Sequence, residues 1–108
     1  MVFDNMRYLL LALLPLLAQA GEISTQRQDE LIYLLHQDCG SCHGMTLKGG
    51  LGPSLLPEAL QGKSVELLSA TILFGRSGTP MPPWSFMLTE SEATWLAQRL
   101  LNGEQPID

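Results

Sequence analysis

Apolar residues recur along this chain at helical rather than strand spacing. Leu31, Leu34 and Leu35 fall at i, i+3 and i+4 behind Thr25-Gln26-Arg27-Gln28, which reads as a capping box. The spacing predicts a first helix from about Gln26 to Asp38. Ser64 predicts the N-cap of a helix from Val65 to Phe74, with Leu68 and Ile72 on one face and Gly75 as a left-handed stop. A second capping box, Thr89-Glu90-Ser91-Glu92, precedes the stripe Ala93, Leu96, Ala97 and Leu100, which ends near Asn102-Gly103. Pro57-Glu58-Ala59-Leu60 predicts one short helical turn. No segment alternates like a half-buried strand, and the pattern predicts an all-α domain with a helix at each end.

The first twenty residues follow a different rule. Arg7 gives a short positive region, Tyr8 to Leu17 is an apolar run, and Ala18-Gln19-Ala20 is an A-x-A signal before Gly21. The run is too short to span a bilayer and contains Pro15. Residues 1–20 are therefore expected to be a cleaved secretory leader and residues 21–108 a single small domain. With no cysteine near the start to accept a lipid, the mature form is expected to be soluble, without a membrane anchor, and monomeric.

Both cysteines of the chain lie in Cys39-Gly40-Ser41-Cys42-His43. In a CxxCH pentapeptide two thiols can each form a thioether to one porphyrin vinyl group, and the following imidazole then lies under the iron. A CxxC redox pair would instead open a helix after a strand in an α/β chain, and this chain has no such alternation. A zinc site would need four N/S ligands, and the remaining histidine is His36, read as a partly exposed helix residue. The motif predicts one covalently attached haem c per chain. Haem is joined to such thiols outside the cytoplasm in bacteria, so leader and motif predict the same compartment, the periplasm, and an encounter with the c-type haem attachment machinery.

Two stretches without a period follow. Gly44 to Pro53 holds four glycines and reads as a loop passing close to a flat cofactor edge. A carbonyl of the Gly52-Pro53 turn is the candidate acceptor for the ring N–H of His43, since a metal-bound imidazole is usually oriented in this way. Arg76 to Pro83 carries Met81 among Pro80, Pro82 and Pro83, which restrict the backbone on both sides. Met81 is the candidate second axial ligand, with Met87 as its rival in a less constrained segment. Met45 lies too close to His43 in sequence to reach the opposite face of the iron. So small a domain makes a marginal core, and the apoprotein is expected to fold poorly.

CxxCH after a first helix, Gly-Pro-x-Leu at Gly52 to Leu55, a proline-flanked methionine and a capped last helix together resemble the class I c-type cytochromes. The resemblance covers essentially all of residues 21–108. It implies thioethers from Cys39 and Cys42, axial ligation by His43 and Met81, a carbonyl from Pro53 behind His43, and crossed terminal helices beside the haem. Two positions depart from the family pattern: Leu31 stands where many members have a small residue, and Arg99 where an aromatic is frequent, with Trp95 one turn earlier. Within the family, the short acidic chain with Gly-Thr-Pro-Met-Pro-Pro-Trp resembles the small cytochromes associated with the cytochrome cd1 nitrite reductase of denitrifiers. That implies single-electron delivery to the reductase, or a redox part in maturing its d1 haem.

The formal net charge is −5, and the leader removes one acid (Asp4) and one base (Arg7). The acidic excess argues against nucleic acid or an anionic membrane as partner, and for a redox partner with a basic docking patch. A haem peroxidase or nitrite-reducing site would need an open distal position, and no distal His/Arg cluster or second haem motif is visible. An electron carrier is expected, not an enzyme.

Overall fold

Short polar caps start each of the long helices. The computed structural model describes residues 22–103, so the leader expected at residues 1–20 lies outside the described residues. Helix α1 (Thr25–Leu34) begins one residue earlier than the sequence predicts: Ser24 is the cap, and its hydroxyl accepts from Arg27 N at 3.1 Å. The expected reciprocal box does not close there, because Gln28 Nε2 turns back to donate to Ile23 O at 3.1 Å. Either way an orphan donor of the first turn is satisfied, a contribution of about 1 kcal/mol.

The first helical run does not end at Asp38. A π-helical turn, Leu35–Cys39, and a short helix α2 (Gly40–His43) carry it through the whole CxxCH motif, and Gly44 at φ 92° ends it. The wider turn donates Gly40 N to Leu35 O, and such turns recur at functional sites. Leu34, Leu35 and His36 are buried in succession, which a helix resting on one face would not do. The segment before the motif is packed on more than one side. His36, expected to be partly exposed, is 4 % exposed for this reason.

Helix α3 (Val65–Phe74) has the bounds its pattern predicts, with Ser64 Oγ accepting from Leu67 N at 3.0 Å. Gly75 ends it at φ 70° and ψ −166°, an extended glycine-only region and not the left-handed helical stop expected. Helix α4 (Glu90–Leu101) opens with the complete capping box: Glu92 N donates to Thr89 Oγ1 at 3.1 Å and Thr89 N to Glu92 Oε1 at 2.9 Å. Ala93, Leu96, Ala97 and Leu100 are all buried, as the stripe predicts. Residues 57–60 form the short turn expected, with Leu60 N donating to Leu56 O at 3.2 Å and to Pro57 O at 3.1 Å and the Leu60 side chain in the core. Among the described residues there is no strand.

α4 packs against α3, with Ser69 Oγ and Thr94 Oγ1 3.3 Å apart between them, and touches α1. Leu31, Ala93 and Ala97 are each 0 % exposed in the same core. Leu31, where the family pattern favours a small residue, is accommodated in that core without exposure. Each leucine buried this way contributes about 1.5–3 kcal/mol. Arg27 binds across the ends of these helices: Nε and Nη2 donate to the Glu92 carboxylate and Nη2 also to Met87 O at 3.0 Å. Arg99 fills the aromatic position of the family by lying over the Trp95 ring, its Cζ 4.7 Å from the centroid.

Candidate functional site

The motif helix presents its three chemical groups from one turn. Cys39 closes the π turn and Cys42 follows three residues later, so both thiols lie on neighbouring positions of a helical surface. Both are half-buried and neither is in a disulfide. Burial, with the Asp38 carboxylate adding to it, pushes the Cys39 thiol up to about 11. Ser41 Oγ turns away to donate to Asp38 O at 2.7 Å.

His43 is half-buried at the end of the same turn, and its Nδ1 lies 2.7 Å from Pro53 O. A carbonyl can only accept, so Nδ1 carries the proton and Nε2 keeps a lone pair for a metal. That tautomer is the one an iron ligand needs, and it tests the fit of the residues to a haem favourably. The carbonyl expected from the Gly52-Pro53 turn is that of Pro53.

The loop from Gly44 to Pro53 folds back on the motif helix, with Gly49 N donating to His43 O and Gly52 N to Cys42 O, both at 2.8 Å. Leu47 seals it into the core with 1 % exposure. A Cβ on Gly52 would stand 2.8 Å from both Nδ1 and Cε1 of His43. Close approach is indeed what a glycine serves here, though what it approaches is the imidazole. Sequence reasoning read the loop without singling out Gly52 for this role, and the adjoining Pro53 was the signal that could have found it.

Met81 is half-buried, in a loop tied down by short bonds: Met81 N donates to Thr79 Oγ1 at 3.3 Å, and Thr79 Oγ1 to Arg76 O at 2.8 Å. Met87 is 46 % exposed, and its carbonyl is engaged by Arg27. Between them Trp84 stacks on Phe86, ring centroids 5.8 Å apart. Several large apolar side chains on this protein frame are exposed, among them Phe74 at 70 % and Phe86 at 75 %. Among the described residues no group of three or more His, Cys, Asp and Glu side chains could hold a metal ion, which leaves the zinc alternative without a ligand set there. No helix among them is long and apolar enough to cross a membrane.

Residues 26–98 match the family described as cytochrome c oxidase, cbb3-type, subunit III. Together with the helical fold and the CxxCH helix, this defines the class as a small class I c-type cytochrome. The chain is 61 % identical over 79 residues to cytochrome c55X of Pseudomonas aeruginosa, covering 73 % of this chain and 66 % of that protein. It is 52 % identical over 96 residues to cytochrome c55X of Paracoccus denitrificans, covering 89 % and 93 %. Among solved structures it resembles a c-type cytochrome NirC, with a TM-score of 0.74 at 57 % identity over 76 % of this chain and 96 % of the other. Within its class the chain belongs to the cytochrome c55X family. Membership carries haem c as the cofactor and electron transfer as the class of activity. A smaller likeness, TM-score 0.60 at 36 % identity, covers 64 % of this chain and 15 % of dihydro-heme d1 dehydrogenase NirN in complex with DHE.

Proposed function

We propose that the protein is a periplasmic monohaem cytochrome that passes single electrons to the cytochrome cd1 nitrite reductase in denitrification. Cys39 and Cys42 would hold a haem by thioethers, His43 Nε2 and the Met81 thioether would ligate its iron, and Pro53 O would orient the imidazole. Bound there, haem supplies a one-electron ferric/ferrous couple, and a thioether ligand raises its potential. The protein's own residues would bind and orient the group, and in this reading they do no bond chemistry. The observation that carries this reading is the Nδ1 to Pro53 O contact of 2.7 Å, which puts the donor proton on Nδ1 and leaves the Nε2 lone pair available to a metal.

The partner follows from charge and kinship. A net charge of −5 suits charge-steered, transient docking on a basic patch. A second reading, a redox or assembly part in d1 haem biosynthesis, is supported by the likeness to one segment of a dihydro-heme d1 dehydrogenase. One experiment separates them. Reduced protein mixed with oxidised reductase is expected to be reoxidised rapidly, with a second-order rate that changes steeply with ionic strength. In a deletion strain, reductase that is complete but short of electrons supports the donor reading, and reductase lacking d1 haem supports assembly. Slow, salt-independent transfer with normal nitrite respiration in that strain removes both.

A further inference from the structure

The segment that carries Met81 doubles as the C-terminal cap of α3. The last carbonyls of a helix have no partner within it. Here Trp84 N donates to Ile72 O at 3.0 Å and Ser85 N to Leu73 O at 3.1 Å, while Arg76 N donates to Met81 O at 3.3 Å. These bonds lay the Met81-Pro82-Pro83 backbone directly over the end of α3, and Gly75 is the residue beneath it. A Cβ on Gly75 would stand 2.7 Å from Met81 O, 2.8 Å from Pro82 C and 2.9 Å from Pro83 N. All three are backbone atoms, two of them in prolines, so none can swing aside as the end of a side chain would. Gly78 lies in the same loop, also at positive φ (77°), and a Cβ there would meet nothing within 4 Å.

We propose that Gly75 is a positioning residue for the Met81 thioether: its missing side chain sets the height of the Met81-Pro82-Pro83 backbone on α3. The proposal rests on the reading of Met81 as axial ligand and adds to it the group that holds the ligand in place. Gly75→Ala must lift that backbone by some tenths of an ångström or rotate it, and the sulfur moves with it. Both glycines lie at positive φ, Gly75 in a glycine-only region, so alanine strains the backbone at either position, and Gly75→Ala alone adds the collision.

The test compares haem-loaded Gly75→Ala, Gly78→Ala and Met81→Ala by ferric absorption, reduction potential and carbon monoxide binding. Gly75→Ala is expected to lose the long-wavelength band of thioether-ligated ferric haem, lower the potential and gain carbon monoxide binding, while Gly78→Ala keeps the wild-type values. In a Met81→Ala background, Gly75→Ala is expected to add no further fall in potential, because its effect runs through the thioether. Equal behaviour of Gly75→Ala and Gly78→Ala, with Met81→Ala altered, overturns the positioning role alone. A Gly75→Ala chain that retains no haem, or a further fall in the double variant, also overturns it in favour of a general structural role. Unchanged spectra in Met81→Ala overturn both the ligand reading and this proposal.

Discussion

Nδ1 of His43 lies 2.7 Å from the carbonyl oxygen of Pro53, and Gly52, the residue between the loop and that carbonyl, lies against the same imidazole. The orientation of the ring is therefore set at its Nδ1 corner, by a hydrogen bond to Pro53 O and by the close approach of the Gly52 backbone. Gly52→Ala is expected to turn the imidazole and weaken the bond to Pro53 O. Overpacking of this kind costs about 1–3 kcal/mol. Thermal unfolding and the exchange rate of the His43 Nδ1 proton would report it, and an unchanged exchange rate with an intact melt would argue that the loop simply moves away.

The two candidate thioethers differ in setting. Met81 is half-buried in a loop clasped to α3, whereas Met87 is 46 % exposed with its backbone held by Arg27. Met81→Ala is expected to lower the reduction potential by on the order of a tenth of a volt or more, within the roughly 0.8 V that axial ligands span. Met87→Ala is expected to leave it near the wild-type value. The reverse pattern in voltammetry would move the ligand to Met87.

α3 and α4 were legible almost to the residue because their limits are local. Ser64 and the Thr89/Glu92 box act within one turn of their own backbone. The start of α1 was harder, since Ser24 and Thr25 are both good caps and only the side chain of Gln28, spent on Ile23 O, separates them. The π turn at Leu35–Cys39 leaves no mark in hydrophobic spacing, so the helix was read as ending at Asp38 and His36 as partly exposed. Of the candidate site, the His43 to Pro53 pairing was readable because metal-bound imidazoles need an acceptor. The collisions that keep residues 52 and 75 glycine depend on which backbone passes them, which no one-dimensional pattern records.

The exposure of Phe74, Phe86 and Leu51 bears on folding. A chain of this size has a small core, to which a large apolar cofactor fixed at two points would add. The Cys39→Ala, Cys42→Ala double variant is expected to be recovered with little haem and low helical content by circular dichroism. A cooperative, native-like melt of that haem-free protein would show that the leucine core is sufficient alone.

Arg27 and Glu92 join the first and last helices through a bidentate contact, and Glu92 also accepts from the amide of Thr89 at 2.9 Å. The guanidinium hydrogen bonds, helped by that amide, hold the Glu92 carboxyl below the usual carboxylate range, while Glu92 and then Glu30 raise the guanidinium further, so Arg27 stays charged at every accessible pH. A carboxyl with a depressed folded-state pKa binds protons more readily when unfolded. Its stabilisation is therefore complete above the ordinary glutamate value and is lost as pH falls through the lowered one. Glu92→Gln, which keeps shape but removes the charge, is expected to cost about 1–2 kcal/mol at neutral pH, a Tm decrease of about 4–8 °C per kcal/mol for a domain this small. The difference in Tm between wild type and variant should hold from neutral pH down to the ordinary glutamate range and narrow below it. A difference that stays constant into strong acid would mean that packing at the α1–α4 crossing, and not the charge, is what Glu92 contributes.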